Sequence, residues 1–213
     1  TPAWDLTTGV TAALGLIVAE RQRRSTGAGQ LIKIALSDVA FAAVGTLGWI
    51  ADAQINGAAR GHFGNDLFGA FGRDFATSDG KRVMVIALTL AQWQALLKAT
   101  ALSPQMGQIE TMLGVDLSQE GDRYAARDMI GALLERWCVQ RDFAAVSAAF
   151  DASGVCWGPY RDFATMVRED PRCSPANPMF AEIDQPEIGR YLAPATPLYF
   201  VGQACLTGSC GEG

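Results

Sequence analysis

Apolar residues fill nearly every position of residues 10–19, and no charged residue interrupts them before Glu20 and the three arginines that follow it. A helix that is apolar on all sides is usually buried, so this pattern predicts a buried helix over residues 10–24. Residues 26–29, Thr-Gly-Ala-Gly, end it, because glycine readily adopts the left-handed conformation that closes a helix. The three arginines support this prediction, because positive charge in the last turn of a helix interacts favourably with the helix dipole.

The pattern then changes from helix to strand and back to helix. Residues 30–36 form a short segment rich in β-branched and large apolar side chains, which predicts a strand. Ser37 or Asp38 can cap a second helix over residues 39–55. Helix, strand and helix in this order form one step of an α/β layer.

Glycines punctuate residues 56–72, which predicts a loop. Two strands follow over residues 73–77 and 81–88, joined by Ser78-Asp79-Gly80, which is typical of a hairpin turn. The rest of the pattern predicts helices over 90–100, 103–113, 122–136 and 142–153 (the last two with aspartate caps), a strand over 155–160, a helix over 162–169, and a hairpin of residues 179–183 and 191–193.

The composition allows a buried core and narrows the range of partners. Hydrophobic residues make up 49% of the 213 residues and charged residues 18%, which argues against disorder. The net charge is −5 and the largest basic cluster is the arginines near residue 24, so nucleic acid is not an expected partner. A membrane is not expected either, because residues 10–19 are too few to span a bilayer and no basic segment precedes them as in a signal peptide.

The cysteines and the single histidine limit the metal and redox chemistry. Five cysteines are present, none in a C-x-x-C arrangement, and one histidine leaves few ligands for zinc, so no metal site is expected. The pattern fits a reducing compartment, which predicts a cytoplasmic protein. Cys138 and Cys156 lie in apolar runs and are expected to be small buried residues.

Four motifs occur along the chain in a set order: Asp5-x-x-Thr8-Gly9 with Arg24-x-Thr26-Gly27-x-Gly29-Gln30; Phe68-Gly69-Ala70-Phe71 with Phe75-Ala76-Thr77-x-Asp79-Gly80; Gly154-Val155-x-Trp157-Gly158-Pro159; and Glu169-Asp170-Pro171 with Gln185-Pro186-x-Ile188-Gly189. Each motif alone is weakly specific. Together, in this order and spacing, they resemble the CaiB/BaiF, or family III, CoA-transferases over most of the chain.

The resemblance implies a fold class and a domain organisation. The expected fold is α/β with an α+β small domain, the C-terminal part of the CaiB/BaiF CoA-transferase fold. Residues 1–57 would be a remnant of the large α/β domain, residues 58–175 the small α+β domain, and residues 176–213 a return segment toward the large domain with a flexible tail. The chain starts at Thr1 without an initiator Met, so it is expected to be a fragment, and the family's interlocked subunits imply a homodimer.

The resemblance also implies a reaction. Family members transfer CoA between an acyl-CoA thioester and a carboxylate through an aspartyl-CoA thioester, and Asp5 matches the position of that catalytic aspartate. A closer likeness within the family, carried by Pro2-Ala3-Trp4-Asp5 and Ile188-Gly189-Arg190-Tyr191-Leu192, implies an intramolecular C1–C4 transfer on mesaconyl-CoA. No cofactor would be bound permanently, since CoA arrives as part of the acyl-CoA substrate, with a dicarboxylate as the acid.

Each candidate site residue also has an ordinary structural interpretation. Asp5 could be a helix N-cap, a role compatible with catalysis because the dipole favours negative charge there. Gly64 and Gly69, in the loop over residues 61–72, could close over the thioester and donate backbone N–H groups to an oxyanion, or simply belong to a linker. Leu36 corresponds to a position where the family's chain approaches CoA.

Two other functions stay open at the level of the sequence. An α-methylacyl-CoA racemase shares the fold but moves a proton with a histidine and an aspartate, and its histidine would lie upstream of Thr1. A catalytically inactive, truncated fragment would only fold or associate. The sequence upstream of Thr1 would discriminate between these alternatives.

Overall fold

The computed structural model describes residues 2–57, 59 and 61–198. The chain divides into two compact units, the first ending at His62 and the second beginning at Phe63. The predicted domain bounds at residues 57 and 175 stay predictions. The expected flexible tail lies outside the described residues.

The first unit contains helices α1 (Ala3–Thr26), α2 (Leu36–Thr46) and α3 (Trp49–Asn56). Helix α1 ends as predicted at Gly27, which has a φ of 75° and donates its N–H to the carbonyl of Arg23. The predicted burial of this helix is wrong, because none of its residues is buried and Val10 and Ile17 are 72% and 68% exposed. Helix α2 and the side chain of Ile32 lie against α1, and they offer too little apolar surface to cover all of its faces.

The predicted strand over residues 30–36 does not form. Residues 28–35 have no regular secondary structure, and Leu31 is 82% exposed. A strand needs a neighbour that pairs with its N–H and C=O groups, and no described strand lies beside this segment. The α/β layer that the pattern suggested is therefore not built by the described part of the first unit.

The second predicted helix is broken into α2 and α3. Gly48 has a φ of 81°, which L-residues rarely adopt, and the two helices are bent by 64°. Neither Ser37 nor Asp38 caps α2, because the helix begins at Leu36 after an extended Ala35 and has no side-chain cap. Among the described helices, no single one is long and apolar enough to cross a membrane, and only the bent pair α2 and α3 meets the length and composition criteria together.

The second unit is built on an antiparallel sheet of β1 (Phe71–Ala76), β2 (Arg82–Ala87) and β3 (Cys156–Pro159), in that order. The predicted hairpin is confirmed, since β1 pairs with β2 around a turn in which Gly80 has a φ of 77°. The hydroxyl of Thr77 donates to Asp79 across the turn at 2.6 Å. A second antiparallel hairpin, β4 (Phe180–Gln185) and β5 (Gly189–Pro194), confirms the one predicted near the C-terminus.

Six helices of this unit are described: α4 (Leu90–Thr100), α5 (Ser103–Leu113), α6 (Glu120–Ala125), α7 (Arg127–Val139), α8 (Phe143–Ser153) and α9 (Phe163–Glu169). The predicted cap Asp142 accepts a hydrogen bond from the third residue of α8, and Asp162, which was not predicted as a cap, does the same for α9. The predicted cap Asp122 is wrong, because it lies inside α6, whose N-cap position is taken by Gln119. The prediction of a single helix over residues 122–136 is wrong, because the helical conformation is interrupted at Ala126, between α6 and α7.

The core of this unit lies between the sheet and helices α4, α5, α7 and α8. Alternate residues of β2 are completely buried, as the two-residue period of a strand requires: Val83, Val85 and Ala87. The rings of Trp137 and Phe150 stack with centroids 5.5 Å apart. Cys138 is buried as predicted, and burial raises the pKa of its thiol to about 12. This mixture of a packed antiparallel sheet and helices is the α+β architecture expected of the small domain.

Candidate functional site

Asp5 lies in the first turn of α1, two residues after the helix begins. Pro2 occupies the N-cap position and no side chain caps this end, so the interpretation of Asp5 as an N-cap is wrong. The side chain is exposed and makes no hydrogen bond or ion pair among the described residues. Its negative charge is favourably placed near the N-terminal end of the helix dipole. Asp5 is therefore a free, accessible carboxylate on a rigid element.

Three threonines follow Asp5 in the N-terminal half of the same helix, and their hydroxyls differ. Those of Thr7 and Thr11 donate to the carbonyls of Ala3 and Thr7 at 2.7 and 2.8 Å. The Oγ1 atom of Thr8 is buried and has no hydrogen-bond partner in the described structure. Thr8 stands three residues after Asp5, a spacing that places both on one face of a helix.

Leu36 is the first residue of α2 and is 45% exposed. Helix α2 packs against α1, so Leu36 and Asp5 belong to the same unit and to neighbouring helices. The apolar side chain of Leu36 makes it a candidate for contact with a ligand, a role that stays a prediction.

Gly64 and Gly69 lie in the second unit, in the loop that leads into β1. Both have positive φ angles, 57° and 83°, and neither has a neighbour within 4 Å of the position that a Cβ would take. The loop is folded on itself, because Asp66 donates its N–H to the carbonyl of Phe63 and Leu67 donates to that of Gly72, each at 2.9 Å. It is therefore a defined turn structure rather than a plain linker.

Arg73 of β1 anchors this loop. Its guanidinium forms a two-pronged ion pair with Asp66, with Nη2 2.6 Å from Oδ2, and a second ion pair with Asp128 of α7 at 2.8 Å. The hydrogen bond to Asp66 raises the pKa of Arg73 against the opposing effect of burial. Asp66 and Asp128 stand in no recognisable motif and were not predicted as part of a site.

The guanidinium of Arg73 lies against α7 at a position where residue 131 is glycine. A Cβ at Gly131 would lie 2.6 Å from Nη1 of Arg73. Arg127 adds to the anchor: its guanidinium lies 4.5 Å from the centre of the Tyr124 ring and its Nε 3.7 Å from Asp66. The rings of Phe63, Phe68 and Tyr124 contact one another, so the loop is held by charge and by aromatic packing.

A second polar network lies beside the first, and Asn65, Asp74 and Arg82 line one pocket together with Asp66 and Arg73. Asp74 accepts hydrogen bonds from Arg82 at 2.6 Å and from Asn65 at 3.0 Å, and Asn65 also donates to the hydroxyl of Tyr160. Burial alone would raise the pKa of Asp74, but these hydrogen bonds and the charge of Arg82 lower it overall. Asp74 is paired with Arg82, as Asp66 is with Arg73. These ion pairs and hydrogen bonds form a structural network around the loop.

The candidate reactive group among the described residues is the carboxylate of Asp5, which can act as a nucleophile. Among them, no group of three histidine, cysteine or acidic side chains is arranged to hold a metal ion. The candidate residues divide between the two units, with Asp5 and Leu36 in the first and Gly64 and Gly69 in the second.

Comparisons of the sequence match this chain to known proteins over almost its whole length. Residues 1–206 match the profile of CoA-transferase family III. The chain is 53% identical over 199 residues to a 2-methylfumaryl-CoA isomerase of Chloroflexus aurantiacus, covering 93% of this chain and 49% of that protein, its C-terminal half. The chain thus spans about half the length of the curated relative that it matches.

Comparisons of the structure match the chain to part of a second protein. A crystal structure of Rv3272 from Mycobacterium tuberculosis is similar with a TM-score of 0.63 and 17% identity, over 91% of this chain and 48% of that one. A point mutant of Rv3272 is similar with a TM-score of 0.64 and 18% identity, over 91% of this chain and 47% of that one. At this level of identity the likeness shows a shared fold.

Proposed function

Because the chain belongs to CoA-transferase family III, we propose that it takes part in the transfer of CoA between an acyl-CoA thioester and a carboxylate. The observation that carries this proposal is its 53% identity to a 2-methylfumaryl-CoA isomerase. That identity supports an intramolecular transfer, in which CoA moves between the C1 and C4 carboxyl groups of mesaconyl-CoA, also called 2-methylfumaryl-CoA. Donor and acceptor carboxyls then belong to one diacid, and the net reaction is an isomerisation.

In the proposed mechanism Asp5 is the nucleophile. Its carboxylate attacks the thioester carbonyl, the C–S bond breaks, and a mixed anhydride and CoA thiolate form. The thiolate attacks the carbonyl of Asp5, which gives an aspartyl-CoA thioester and releases the acid. A free carboxylate then attacks that thioester, and the same steps in reverse return CoA to the substrate. A covalent carboxylate splits one difficult exchange into easier ones.

The geometry of the first turn of α1 supports this role. The Asp5 carboxylate is exposed and without partners in the described structure, so no ion pair must break before it attacks. A nucleophile on a helix is also held more precisely than one on a loop.

The other candidate residues have supporting roles in this proposal. Gly64 and Gly69 of the anchored loop are the proposed donors of backbone N–H groups to the oxyanion of the thioester carbonyl. Leu36 offers an apolar contact to the CoA part of the substrate. No permanently bound cofactor is required, because CoA enters and leaves as part of the reaction.

We propose further that the protein acts as a homodimer in the cytoplasm. The exposed apolar side chains of α1, among them Val10 and Ile17, support association, since apolar patches of this kind usually mark interfaces. The odd number of cysteines supports a reducing compartment. Size-exclusion chromatography with light scattering tests the dimer, and a monomer that does not bind apolar dyes contradicts it.

The decisive experiment replaces Asp5 by Asn. The full chain is expressed alone and as a hybrid behind the N-terminal half of the Chloroflexus protein, and mesaconyl-CoA conversion is followed by chromatography. An amide cannot form the anhydride, so Asp5→Asn should abolish conversion and leave the melting temperature nearly unchanged. Asp38→Asn, in the first turn of α2, is the matched control and should stay active. Full activity of Asp5→Asn, or a folded wild-type hybrid without conversion, contradicts the proposed function.

A further inference from the structure

The hydroxyl of Thr8 is an exception among the threonines of α1. A threonine inside a helix commonly donates its hydroxyl to the carbonyl four residues earlier. Thr7 and Thr11 do this, with distances of 2.7 and 2.8 Å. The Oγ1 atom of Thr8 is buried and has no partner in the described structure. A buried polar atom without a hydrogen bond is rare in folded proteins and calls for an explanation.

The position of Thr8 relative to Asp5 explains why its hydroxyl is left without a partner. Residues three apart on a helix are neighbours, with Cβ atoms about 5–6 Å from each other. Helical side chains lean toward the N-terminus, so the side chain of Thr8 points back toward the turn that carries Asp5. A hydroxyl and a carboxylate at this spacing come within hydrogen-bonding distance by rotation of their side chains alone.

We propose that Thr8 is a catalytic residue, whose hydroxyl donates a hydrogen bond to the carbonyl oxygen of Asp5 once Asp5 carries an acyl group or CoA. This inference rests on the proposed function. The donor acts on the second step, when CoA thiolate attacks the Asp5 carbonyl of the anhydride. The C–O double bond opens to an oxyanion, which the hydroxyl stabilises. The bond to the released carboxylate then breaks and the aspartyl-CoA thioester remains.

The same hydrogen bond acts in the reverse direction. When the acceptor carboxylate attacks the aspartyl-CoA thioester, negative charge develops again on the Asp5 carbonyl oxygen. In the anhydride and in the aspartyl-CoA thioester, by contrast, the Asp5 carbonyl oxygen is neutral, and it gains this charge only as the attack proceeds. The Thr8 hydroxyl therefore stabilises the transition states of both steps at the Asp5 carbonyl more than the neutral intermediates from which these steps start, which is the condition for a rate effect on them.

A failing second step leaves a chemical trace that a structural defect does not. If the anhydride lives longer, water attacks it in competition with CoA thiolate. This releases the free diacid and regenerates the Asp5 carboxylate, with CoA thiol as the other product. The amount of free diacid per transfer event therefore reports the step at which Thr8 acts.

The test uses the hybrid protein described above and the substitution Thr8→Val, which removes the hydroxyl and keeps the shape. We expect kcat to fall about a hundredfold, as for loss of one oxyanion donor, with KM little changed and more free diacid formed per transfer. Thr8→Ser should restore most of the rate. Thr7→Val and Thr11→Val are the matched controls, because their hydroxyls are already bonded to carbonyls, and they should behave as wild type.

The outcomes separate this inference from the proposed function. A wild-type kcat and product ratio in Thr8→Val overturn the role of Thr8 while the role of Asp5 stands. Equal losses in Thr8→Val and Thr7→Val, with equal losses of melting temperature, overturn it too, because they indicate a structural effect. If Thr8→Val does not fold, the pair Thr8→Ala and Thr8→Ser decides, since equal rates contradict the inference. An active Asp5→Asn variant removes the proposed function, and this inference with it.

Discussion

At the scale of the residue, the second unit depends on a buried charge that the sequence does not reveal. Arg123 is 1% exposed and donates from Nη1 to the carbonyls of Leu117 and Ser118, at 2.9 Å each, and from Nη2 to that of Leu88 at 2.6 Å. Burial lowers the pKa of its guanidinium, although the charge of Glu120 opposes this effect. One side chain thus donates hydrogen bonds to three backbone carbonyls in two loops, the one between β2 and α4 and the one between α5 and α6.

We predict that Arg123→Met strongly destabilises the second unit. The substitution leaves three carbonyls without their donor, and each unsatisfied buried group costs about 1–3 kcal/mol. The free energy of unfolding, measured by urea denaturation, should fall by about 3 kcal/mol or more. Arg136→Met is the matched control, because Arg136 is exposed on α7, and should change the stability by less than about 0.5 kcal/mol. Equal unfolding curves for the two variants would contradict the role given to Arg123.

At the scale of the element, the loop before β1 takes its shape from a contact with α7. Arg73 reaches Asp66 and Asp128 because Gly131 leaves room for its guanidinium. A glycine inside a helix is usually a local cost of about 1 kcal/mol relative to alanine. Here the cost is offset by the ion pairs that the missing Cβ permits, so loop and helix are coupled.

We predict opposite effects for two helical glycines. Gly131→Ala places a Cβ 2.6 Å from Nη1 of Arg73, which should displace the guanidinium, loosen the loop, and destabilise the unit by about 1–3 kcal/mol. Gly107→Ala, on α5 with open space around it, should stabilise by up to about 1 kcal/mol. Hydrogen exchange of residues 63–72 should rise only in Gly131→Ala. Unchanged exchange in that variant would show that Arg73 does not hold the loop.

At the scale of the whole molecule, paired aspartates make stability depend on pH. Asp170 accepts hydrogen bonds from the side chain and N–H of Arg172 and lies 3.4 Å from Arg161, which holds its pKa well below the usual range. The pKa of Asp128 is lowered as well, chiefly by its hydrogen bond from Arg73. Because these pKa values are lower in the folded than in the unfolded chain, their stabilisation is complete above the unfolded value of about 3.9 and is lost as the pH falls through the folded value.

We therefore predict a melting temperature that is nearly constant from pH 7 to about pH 5 and falls below about pH 4. Asp170→Asn should melt at a lower temperature than wild type at pH 7. The difference should shrink toward pH 2, because below about pH 3.9 the unfolded chain binds a proton at Asp170 that the folded chain binds only at lower pH. Circular dichroism at each pH measures both curves. A difference that stays constant down to pH 2 would rule out Asp170 as a source of the pH dependence.

Local sequence determined much of the second unit. The hairpin around Gly80, the helices α4 and α5, and the cap Asp142 follow from turn chemistry, hydrophobic period and short-range hydrogen bonds, and all were predicted. The ordered motifs also identified the family to which the chain belongs and marked Asp5 before its geometry was known.

Tertiary structure decided what local sequence could not. The segment over residues 30–36 has the composition of a strand, yet a strand exists only where another strand pairs with it. The apolar helix α1 has the pattern of a buried helix, yet burial depends on which surface lies against it. Arg123, Gly131 and the hydroxyl of Thr8 have no local signature either, because their roles arise from atoms distant in sequence or from a hydrogen bond that is not made. Propensity acts over a few residues, whereas pairing, burial and polar satisfaction are properties of the assembled chain.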